Sequence, residues 1–374
     1  MSFNKEGRSK KKPKKSKPKS FKKASKNTII SWLKAILLAL IVILLIRTLA
    51  FQTIVIPNSS MSGNLLPGDW VLVNKAIYGP RLPITPLVFP FKSFRTREAA
   101  GKYFLDWIKL PYWRIYGYGK IKRNDIIIFN YPLEIGIPID MKMATIKRCV
   151  ALPGDTLKII NNELFVNNKK VTINNTQFEY FVKVKGKSLK TNLIDKFQIN
   201  EGGEVSNYGE YDLFLSTRQA DSLRKEKSIV EVVKEPKYSS IDKSYLFPHD
   251  SKLDWTLDNY GPIVIPKAGK QIMMNKKNLL IYSEMLEKFE GCLISVSNDS
   301  VFINKKYAKS YQLKSNYYFV LDDNRDNARD SRLWGFLPEN HIIGKASLIL
   351  ASFNPTSSGF SKIRWKRILK IPEK

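Results

Sequence analysis

Cysteine and histidine are scarce in this sequence, with two of each among 374 residues. Neither cysteine belongs to a Cys-x-x-Cys pair and no His-Glu-x-x-His motif occurs, so we expect no metal site and no cofactor. Cys149 lies within an apolar run and is expected to be a core residue, although pairing with Cys292 in an oxidising compartment stays open. A histidine-based triad is not expected unless His249 or His341 faces a nucleophile.

Long hydrophobic runs are also scarce. Residues 28–51 are almost wholly apolar, interrupted by Lys34 and Arg47. About 20 apolar residues cross a bilayer, and both basic side chains can reach its interfaces, so we predict a transmembrane anchor over residues 28–50. No small-x-small cleavage site precedes the folded part, which argues against a removable signal peptide. The apolar run at 342–353 contains Lys345 and is too short to span, so it is predicted to be a buried strand.

Acidic residues are outnumbered, with 33 against 63 lysines and arginines, which gives a net charge of +30. Twelve of these basic residues and one glutamate lie in residues 1–26. That tail has only two aromatic residues, Phe3 and Phe21, and no nucleic-acid-binding motif, so residues 1–27 are predicted to be a solvated basic tail without a nucleic-acid partner. Basic residues before a span place the N-terminus in the cytoplasm and the remainder outside. The basic C-terminal tail, residues 354–374, either lies on an anionic membrane surface or is solvated.

Short apolar runs separated by Asn, Gly and Pro turns dominate the rest of the chain. This pattern predicts a mainly β fold built from antiparallel sheets. Because the informative motifs come early and late, we predict one domain built from two parts, residues 51–155 and 317–353. Residues 156–316 are predicted to form a second β-rich domain with a short helix at 216–227, and their sequence discloses no role.

A serine follows the first predicted strand, in the sequence IVIPNSSMSGNLLPGD at residues 54–69. Ser60 lies in a polar turn between two β-like runs, where a nucleophile is held rigidly and stays accessible. Serine needs a base, and without a suitable histidine that base is a neutral lysine. Burial favours the neutral amine, and Lys147 lies within the apolar run of ATIKRCVALPGD. The interleaved charges of DDNRDNARDSR at 322–332 predict a hydrogen-bonded network.

The order of these three motifs after an N-terminal span resembles that of bacterial type I signal peptidases, which are Ser-Lys endopeptidases. The resemblance implies a signal-peptidase-like catalytic domain in which Ser60 is the acylated nucleophile and Lys147 the general base. It also implies an oxyanion site formed by the Ser60 N–H and the Asn58 side chain. Pockets for small residues at −1 and −3 would be lined by Ile54, Ile56, Pro57, Met61, Leu65, Thr145 and Ile146. Structural support would come from Arg148, Asp323, Asp330, Ser331 and Arg332.

The same resemblance implies a location and partners. Exported preproteins are the expected substrates, and membrane phospholipid and the protein-export translocon are the expected neighbours. The chain is expected to cross the bacterial inner membrane once, with the catalytic domain on the outer side.

The sequence departs from the family's pattern at four places. Ser62-Gly63-Asn64 replaces the frequent x-Pro-Thr, which alters the turn but removes no reacting group. Asn58 replaces a hydroxyl residue, but its amide N–H can still donate to an oxyanion. Asp322 stands where glycine is usual, which a left-handed backbone would accommodate. Ala328 replaces a serine that hydrogen-bonds the lysine amine, a role that Ser331 or a water would then take.

These departures leave a second interpretation open, that of an anchored relative which has lost proteolysis and serves as a binding or scaffold protein. A cytosolic self-cleaving repressor relative is disfavoured by the span and by the lack of a DNA-binding helix pair.

Overall fold

The computed structural model describes residues 26–86, 105, 107–134, 136–186, 188–234, 243–250, 252–298, 300–355, 357 and 359–373. The predicted basic tail therefore lies almost entirely outside the described residues. In those ranges the helices are α1 (Lys26–Leu49), α2 (Thr191–Phe197), α3 (Thr217–Leu223), α4 (Lys276–Glu290) and α5 (Ser331–Trp334).

Strands make up most of the regular structure, and the predicted mainly β fold with antiparallel sheets is confirmed. The strands are β1 (Phe51–Val55), β2 (Asp69–Asn74), β3 (Ile126–Asn130), β4 (Ala144–Ala151), β5 (Thr156–Ile160), β6 (Glu163–Val166), β7 (Lys169–Val171), β8 (Gln177–Val184), β9 (Gly202–Ser206), β10 (Glu210–Ser216), β11 (Ile229–Lys234), β12 (Tyr260–Val264), β13 (Gln271–Met273), β14 (Ile294–Ser297), β15 (Ser300–Ile303), β16 (Lys306–Tyr307), β17 (Ser310–Gln312), β18 (Tyr317–Leu321), β19 (Leu337–Pro338) and β20 (Ile342–Ser352).

Helix α1 has the length and composition of a membrane span. Its segment Thr28–Leu49 has 22 residues, and the most apolar 18-residue window within it has a mean hydropathy of 2.9 and no buried part. At 1.5 Å per residue it extends ~33 Å, close to the ~30 Å hydrocarbon core of a bilayer. It is the single helix of this kind in the part of the chain that the structure describes. The chain separates into two units, Met1–Leu45 and Ile46–Lys374.

The second unit is organised around a seven-stranded sheet with the strand order β1-β2-β20-β3-β4-β18-β19. β1 and β2 form an antiparallel pair in which Phe51 faces Asn74 and Val55 faces Trp70. β20 lies between β2 and β3, and it is largely buried, as predicted for the apolar run at 342–353. β4 pairs with β3 on one side and with β18 on the other. The sheet thus brings early and late parts of the chain side by side.

Residues 156–316 form four smaller sheets, with the orders β11-β8-β10-β9, β12-β5-β6-β7, β13-β17 and β14-β15-β16. The short helix predicted at 216–227 is present as α3, and Ser216 and Gln219 form its capping box. The 15-residue α4 was not predicted. Its buried residues recur at helical spacing, at Ile281, Tyr282, Met285 and Leu286, but the run LLIY within it has the composition of a strand.

One compact unit contains everything from Ile46 to Lys374. Its largest core cluster includes Val150, Leu157, Met285 and Phe319, which lie on both sides of the predicted boundaries at 155/156 and 316/317. Those boundaries therefore stay predictions. Both cysteines are buried free thiols, so the pairing left open from the sequence does not occur in this structure, and Cys149 is the core residue expected.

Candidate active site

The nucleophile turn, defined here as residues 57–68, is closed at its base by the β1–β2 pair. The Ile56 N–H donates to the Asp69 carbonyl (2.9 Å), and the Gly68 N–H donates back to the Ile56 carbonyl (2.9 Å). The buried Asp69 carboxylate accepts from the Leu66 N–H (2.8 Å) and from the Arg367 guanidinium (2.5 Å). The two strands and this carboxylate hold the ends of the turn, so its tip has a fixed position.

Ser60 lies at the tip of the turn and is partly exposed. Its backbone carbonyl accepts from the Asn324 N–H (3.0 Å). Met61, the next residue, is fully buried, so the turn is anchored in the core beside its reactive position. The predicted nucleophile is therefore accessible, while the backbone on either side of it is held.

Lys147 is buried on β4, opposite Ile127 of β3, with 5% of its surface exposed. Its Nζ donates to both oxygens of Asp322, at 2.5 and 2.7 Å. Asp322 follows β18 directly and is itself fully buried. The expected burial of Lys147 is present, but a carboxylate contacts the amine where the sequence predicted apolar surroundings.

Burial raises the pKa of the Asp322 carboxyl to about 6, and the nearby Lys147 ammonium opposes part of that rise. The Asp322 carboxylate also accepts from the Arg329 N–H (3.0 Å), and its own N–H donates to Asp330 (3.1 Å). Asp322 does not have a positive φ, so the left-handed backbone that would have accommodated it is not what this position uses. The aspartate occupies this position because its side chain has specific partners.

The buried Arg148 guanidinium, which follows Lys147, forms a two-pronged pair with Asp323. Arg148 Nε lies 2.6 Å from Oδ1 and Nη2 lies 2.7 Å from Oδ2. Asp323 Oδ2 also accepts from Asn64 Nδ2 of the nucleophile turn (2.7 Å). This pair therefore connects β4, the segment after β18 and the nucleophile turn.

A second buried pair lies at the start of α5, where Asp330 caps the helix and binds Arg332 through Nε (3.0 Å) and Nη2 (2.9 Å). Burial alone would raise the pKa of Asp330, but the Arg332 guanidinium outweighs burial and holds that pKa below its usual value. Ser331 Oγ accepts from the Val320 N–H (3.0 Å). These three predicted support residues thus stabilise the segment that carries Asp322, and the amine of Lys147 is contacted by Asp322 itself.

The predicted oxyanion groups lie beside each other. The Ser60 N–H donates to Oδ1 of the exposed Asn58, at a long 3.3 Å. In this arrangement the amide oxygen of Asn58 covers the Ser60 N–H. An oxyanion that uses this N–H would have to displace the Asn58 oxygen, and it would gain a second donor if the amide turned its Nδ2 inward.

The predicted pocket residues divide by burial. Ile56, Met61, Leu65 and Ile146 are buried in one core cluster, against which the partly exposed Ile54 packs. Pro57 is exposed and Thr145 is partly exposed. The four buried side chains are thus part of the core, whereas Ile54, Pro57 and Thr145 are at least partly exposed.

Comparison with known proteins decides the family. The profile of the family described as signal peptidase, peptidase S26, matches residues 29–238 and 262–351. The chain belongs to this family. The resemblance seen in the motifs is thereby confirmed, and the chain is a serine endopeptidase of the signal peptidase family.

Relatives in this family match either most of the chain or a shorter part of it. A signal peptidase I of Buchnera aphidicola subsp. Baizongia pistaciae is 27% identical over 319 residues, covering 83% of this chain and 73% of the relative. A signal peptidase I of Aquifex aeolicus is 26% identical over 318 residues, covering 84% and 81%. A signal peptidase I of Pseudomonas aeruginosa is 31% identical over 144 residues, covering 38% and 39%.

Sequence reasoning on the signal peptidase motifs missed three side chains that contact this site. Asp322 was regarded only as a tolerated replacement, Asn64 only as part of an altered turn, and Glu201 lies in the region to which no role was assigned. The sequence did contain an indication that Asp322 contacts Lys147. A carboxylate at a buried loop position needs a cationic partner, and Ala328 supplies no hydroxyl group to Lys147. No metal-binding cluster occurs among the described residues.

Proposed function

We propose that this chain, anchored by α1, removes N-terminal signal peptides from exported preproteins, with Ser60 as the nucleophile and Lys147 as the general base. The observation that carries the proposal is that one short segment contacts both: Asp322 binds Lys147 Nζ, and the Asn324 N–H binds the Ser60 carbonyl. The non-proteolytic interpretation is not favoured, because both reacting side chains are intact and share this support.

The proposed reaction proceeds through an acyl-enzyme. Neutral Lys147 accepts the proton of Ser60 Oγ as that oxygen attacks the carbonyl carbon of the scissile bond. The negative charge that develops on the carbonyl oxygen is stabilised by the Ser60 N–H and Asn58 Nδ2. Lys147 then gives the proton to the departing amine of the mature protein. A water attacks the ester with Lys147 again accepting a proton, which it returns to Ser60 Oγ as the ester bond breaks and the signal peptide leaves.

The preference for small residues follows from the packing beneath the site. Ile56, Met61, Leu65 and Ile146 are buried and close-packed, so they form a shallow floor that leaves no depth for a long side chain. Ile54, Pro57 and Thr145 form the rim in this proposal. Alanine at −1 and −3 fits such a surface, and an extended substrate adds backbone hydrogen bonds to an exposed strand.

The proposed location is the bacterial inner membrane, with the basic tail in the cytoplasm and residues after about 51 on the outer side. The many basic residues before α1 support this direction. Phospholipid and the export translocon are proposed as neighbours on the same ground. External protease added to spheroplasts should digest the catalytic part and spare the tail; protection of the catalytic part would contradict this orientation.

The activity is tested with a purified preprotein that carries an A-x-A site and the detergent-solubilised full chain. We expect one cut directly after the −1 alanine, identified by the mass of the mature product. A matched preprotein with tryptophan at −1 should remain intact because the shallow floor cannot accept it. Equal cleavage of both, or no cleavage of either by the folded chain with lipid supplied, would contradict the proposal.

Asn58 offers a prediction about the oxyanion. Asn58→Ala should lower kcat/KM by about 10²–10³-fold, because one of the two donors is lost. Asn58→Asp has the same shape without an N–H and adds a negative charge, so it should be at least as impaired. Steady-state cleavage of the A-x-A preprotein measures both variants, and a wild-type rate in Asn58→Ala would remove this side chain from the oxyanion site.

Asp322 offers a prediction about pH. Its carboxylate places a negative charge against the Lys147 amine, which must be neutral to act as the base. Asp322→Asn keeps an oxygen for the amine but removes the negative charge, and a nearby opposite charge is what favours the charged form of an ionisable group. The rising acid limb of kcat/KM against pH should therefore move to lower pH by about one unit or more. An acid limb that stays in place, or moves to higher pH, would show that Asp322 does not control the base.

A further inference from the structure

We infer that the region between the two catalytic parts positions the nucleophile, and that Glu201 is the residue through which it does so. The inference rests on the proposed function, in which Ser60 is the nucleophile. It assigns a role to residues 156–316, for which the sequence indicated none.

The first step is the backbone connection between this region and the segment after β18. The Gln177 N–H donates to the Asp323 carbonyl (2.8 Å), and the Arg325 N–H donates to the Gln177 carbonyl (2.9 Å). Further along the same two segments, the Glu179 N–H donates to the Asp326 carboxylate (2.8 Å). The first residues of β8 therefore run alongside residues 323–326, and Gln177 is almost fully buried there.

The second step is the Glu201 carboxylate, which accepts three hydrogen bonds from two segments of the site. Oε1 accepts from Ser59 Oγ (2.7 Å) and from Asn327 Nδ2 (2.7 Å), and Oε2 accepts from Asn324 Nδ2 (2.7 Å). All three donors are neutral and the acceptor is charged, which makes such bonds stronger than neutral ones. One side chain thus ties the nucleophile turn to the segment that also carries Asp322.

The third step is the rigidity of the Glu201 backbone. Its carbonyl accepts from the Phe214 N–H of β10 (3.2 Å). The next residue, Gly202, has a φ of +126°, and a Cβ there would lie 2.3 Å from the Asp212 carbonyl oxygen, so the chain fits closely against β10 at this point. The carboxylate is therefore held by the sheet β11-β8-β10-β9 rather than by a free loop.

The effect of Glu201 on catalysis depends on the residues that its carboxylate binds. Ser59 precedes the nucleophile, and Asn324 holds the Ser60 carbonyl through its own N–H. Without Glu201, one hydroxyl and two amides at the site lose their shared acceptor, and the turn is freer to shift relative to Lys147. A shift of about 1 Å can lower the rate ~10²-fold. Glu201 is thus a positioning residue, acting through Ser59 and Asn324.

The experiment compares Glu201→Ala with the wild type and with Glu204→Ala, which removes an exposed carboxylate of β9 three residues further on, using the full chain and the A-x-A preprotein. We expect Glu201→Ala to lower kcat by about 10–10²-fold at unchanged KM and to leave the pH profile in place, because the lysine–aspartate contact is untouched. Glu204→Ala should match the wild type. A merely structural contact would lower the melting temperature without this selective loss of kcat.

The conservative variant sharpens the test. Glu201→Gln should keep kcat within about threefold, since its amide oxygen still accepts from Ser59 and Asn327. Asn324 Oδ1, buried without a hydrogen-bond partner, can accept from the new amide if the Asn324 side chain turns over. Ser59→Ala should lower kcat by a smaller factor than Glu201→Ala, and the double variant should lose less than the product of the two single losses.

The outcomes separate this inference from the proposed function. A wild-type chain that leaves the preprotein intact overturns the proposed function and this inference with it. Wild-type cleavage matched by Glu201→Ala overturns the inference alone. Should Glu201→Ala fail to fold, Ser59→Ala decides: a wild-type kcat overturns the inference, and a fall of several-fold supports it.

Discussion

Ser60→Ala is expected to abolish preprotein cleavage, with kcat falling by roughly 10⁴–10⁶-fold, and to leave the chain folded. Removing a nucleophile leaves only the catalysis supplied by binding and by the oxyanion donors. Ser60 is partly exposed and no hydrogen bond among the described residues uses its Oγ, so its loss is expected to leave the fold intact. Cleavage is measured by gel and mass spectrometry, and melting of the variant in detergent checks its fold. Turnover at the wild-type rate would remove Ser60 from its role.

Lys147→Ala is expected to lose preprotein cleavage as Ser60→Ala does, but this second variant needs a control, which the structure supplies. The variant should be equally inactive, but it also leaves the buried Asp322 carboxylate without its cation, which lowers stability. The pair Lys147→Met with Asp322→Asn removes both charges and fills the space. This double variant should melt closer to the wild type than Lys147→Ala does and still show no cleavage. Activity in the double variant would exclude Lys147 as the base.

The largest effect on stability is expected at Arg148. Arg148→Ala should lower the free energy of unfolding by about 3–5 kcal/mol, because it leaves Asp323 buried and charged without a partner. Arg148 is fully buried and also donates to the carbonyls of Asn124 (2.8 Å) and Glu373 (3.1 Å), so its removal frees acceptors as well.

Chemical denaturation of the full chain in detergent measures this loss. The matched control is Lys170→Ala, which breaks an exposed pair with Glu163 and should change the free energy of unfolding by less than about 1 kcal/mol. Equal stability changes in the two variants would contradict the role given to the Arg148–Asp323 pair.

Most of the sequence predictions came from local patterns, in which the informative residues are close together in the chain. Ser60 was found because the strand, turn and strand around it are contiguous, and Lys147 because its apolar strand surrounds it in the sequence. Asp322 binds Lys147 across 175 residues, and Glu201 binds Ser59 across 142 residues. No periodicity or turn signal encodes such contacts, since they depend on how separate sheets meet. Helix α4 was missed for a different reason, because the composition of LLIY outweighed the spacing of its buried residues.

The strand order of the central sheet has a consequence for the newly made enzyme. A nascent chain of 300 residues already contains Ser60 and Lys147, but β18 and β20 are still unmade, so β4 lacks a neighbour and nothing separates β2 from β3. Asp322 is also missing, so the lysine lacks its partner. Pairing over such sequence distances is slow to form. The central sheet is therefore completed, and Lys147 gains its carboxylate partner, only after the residues from β18 to β20 have been made.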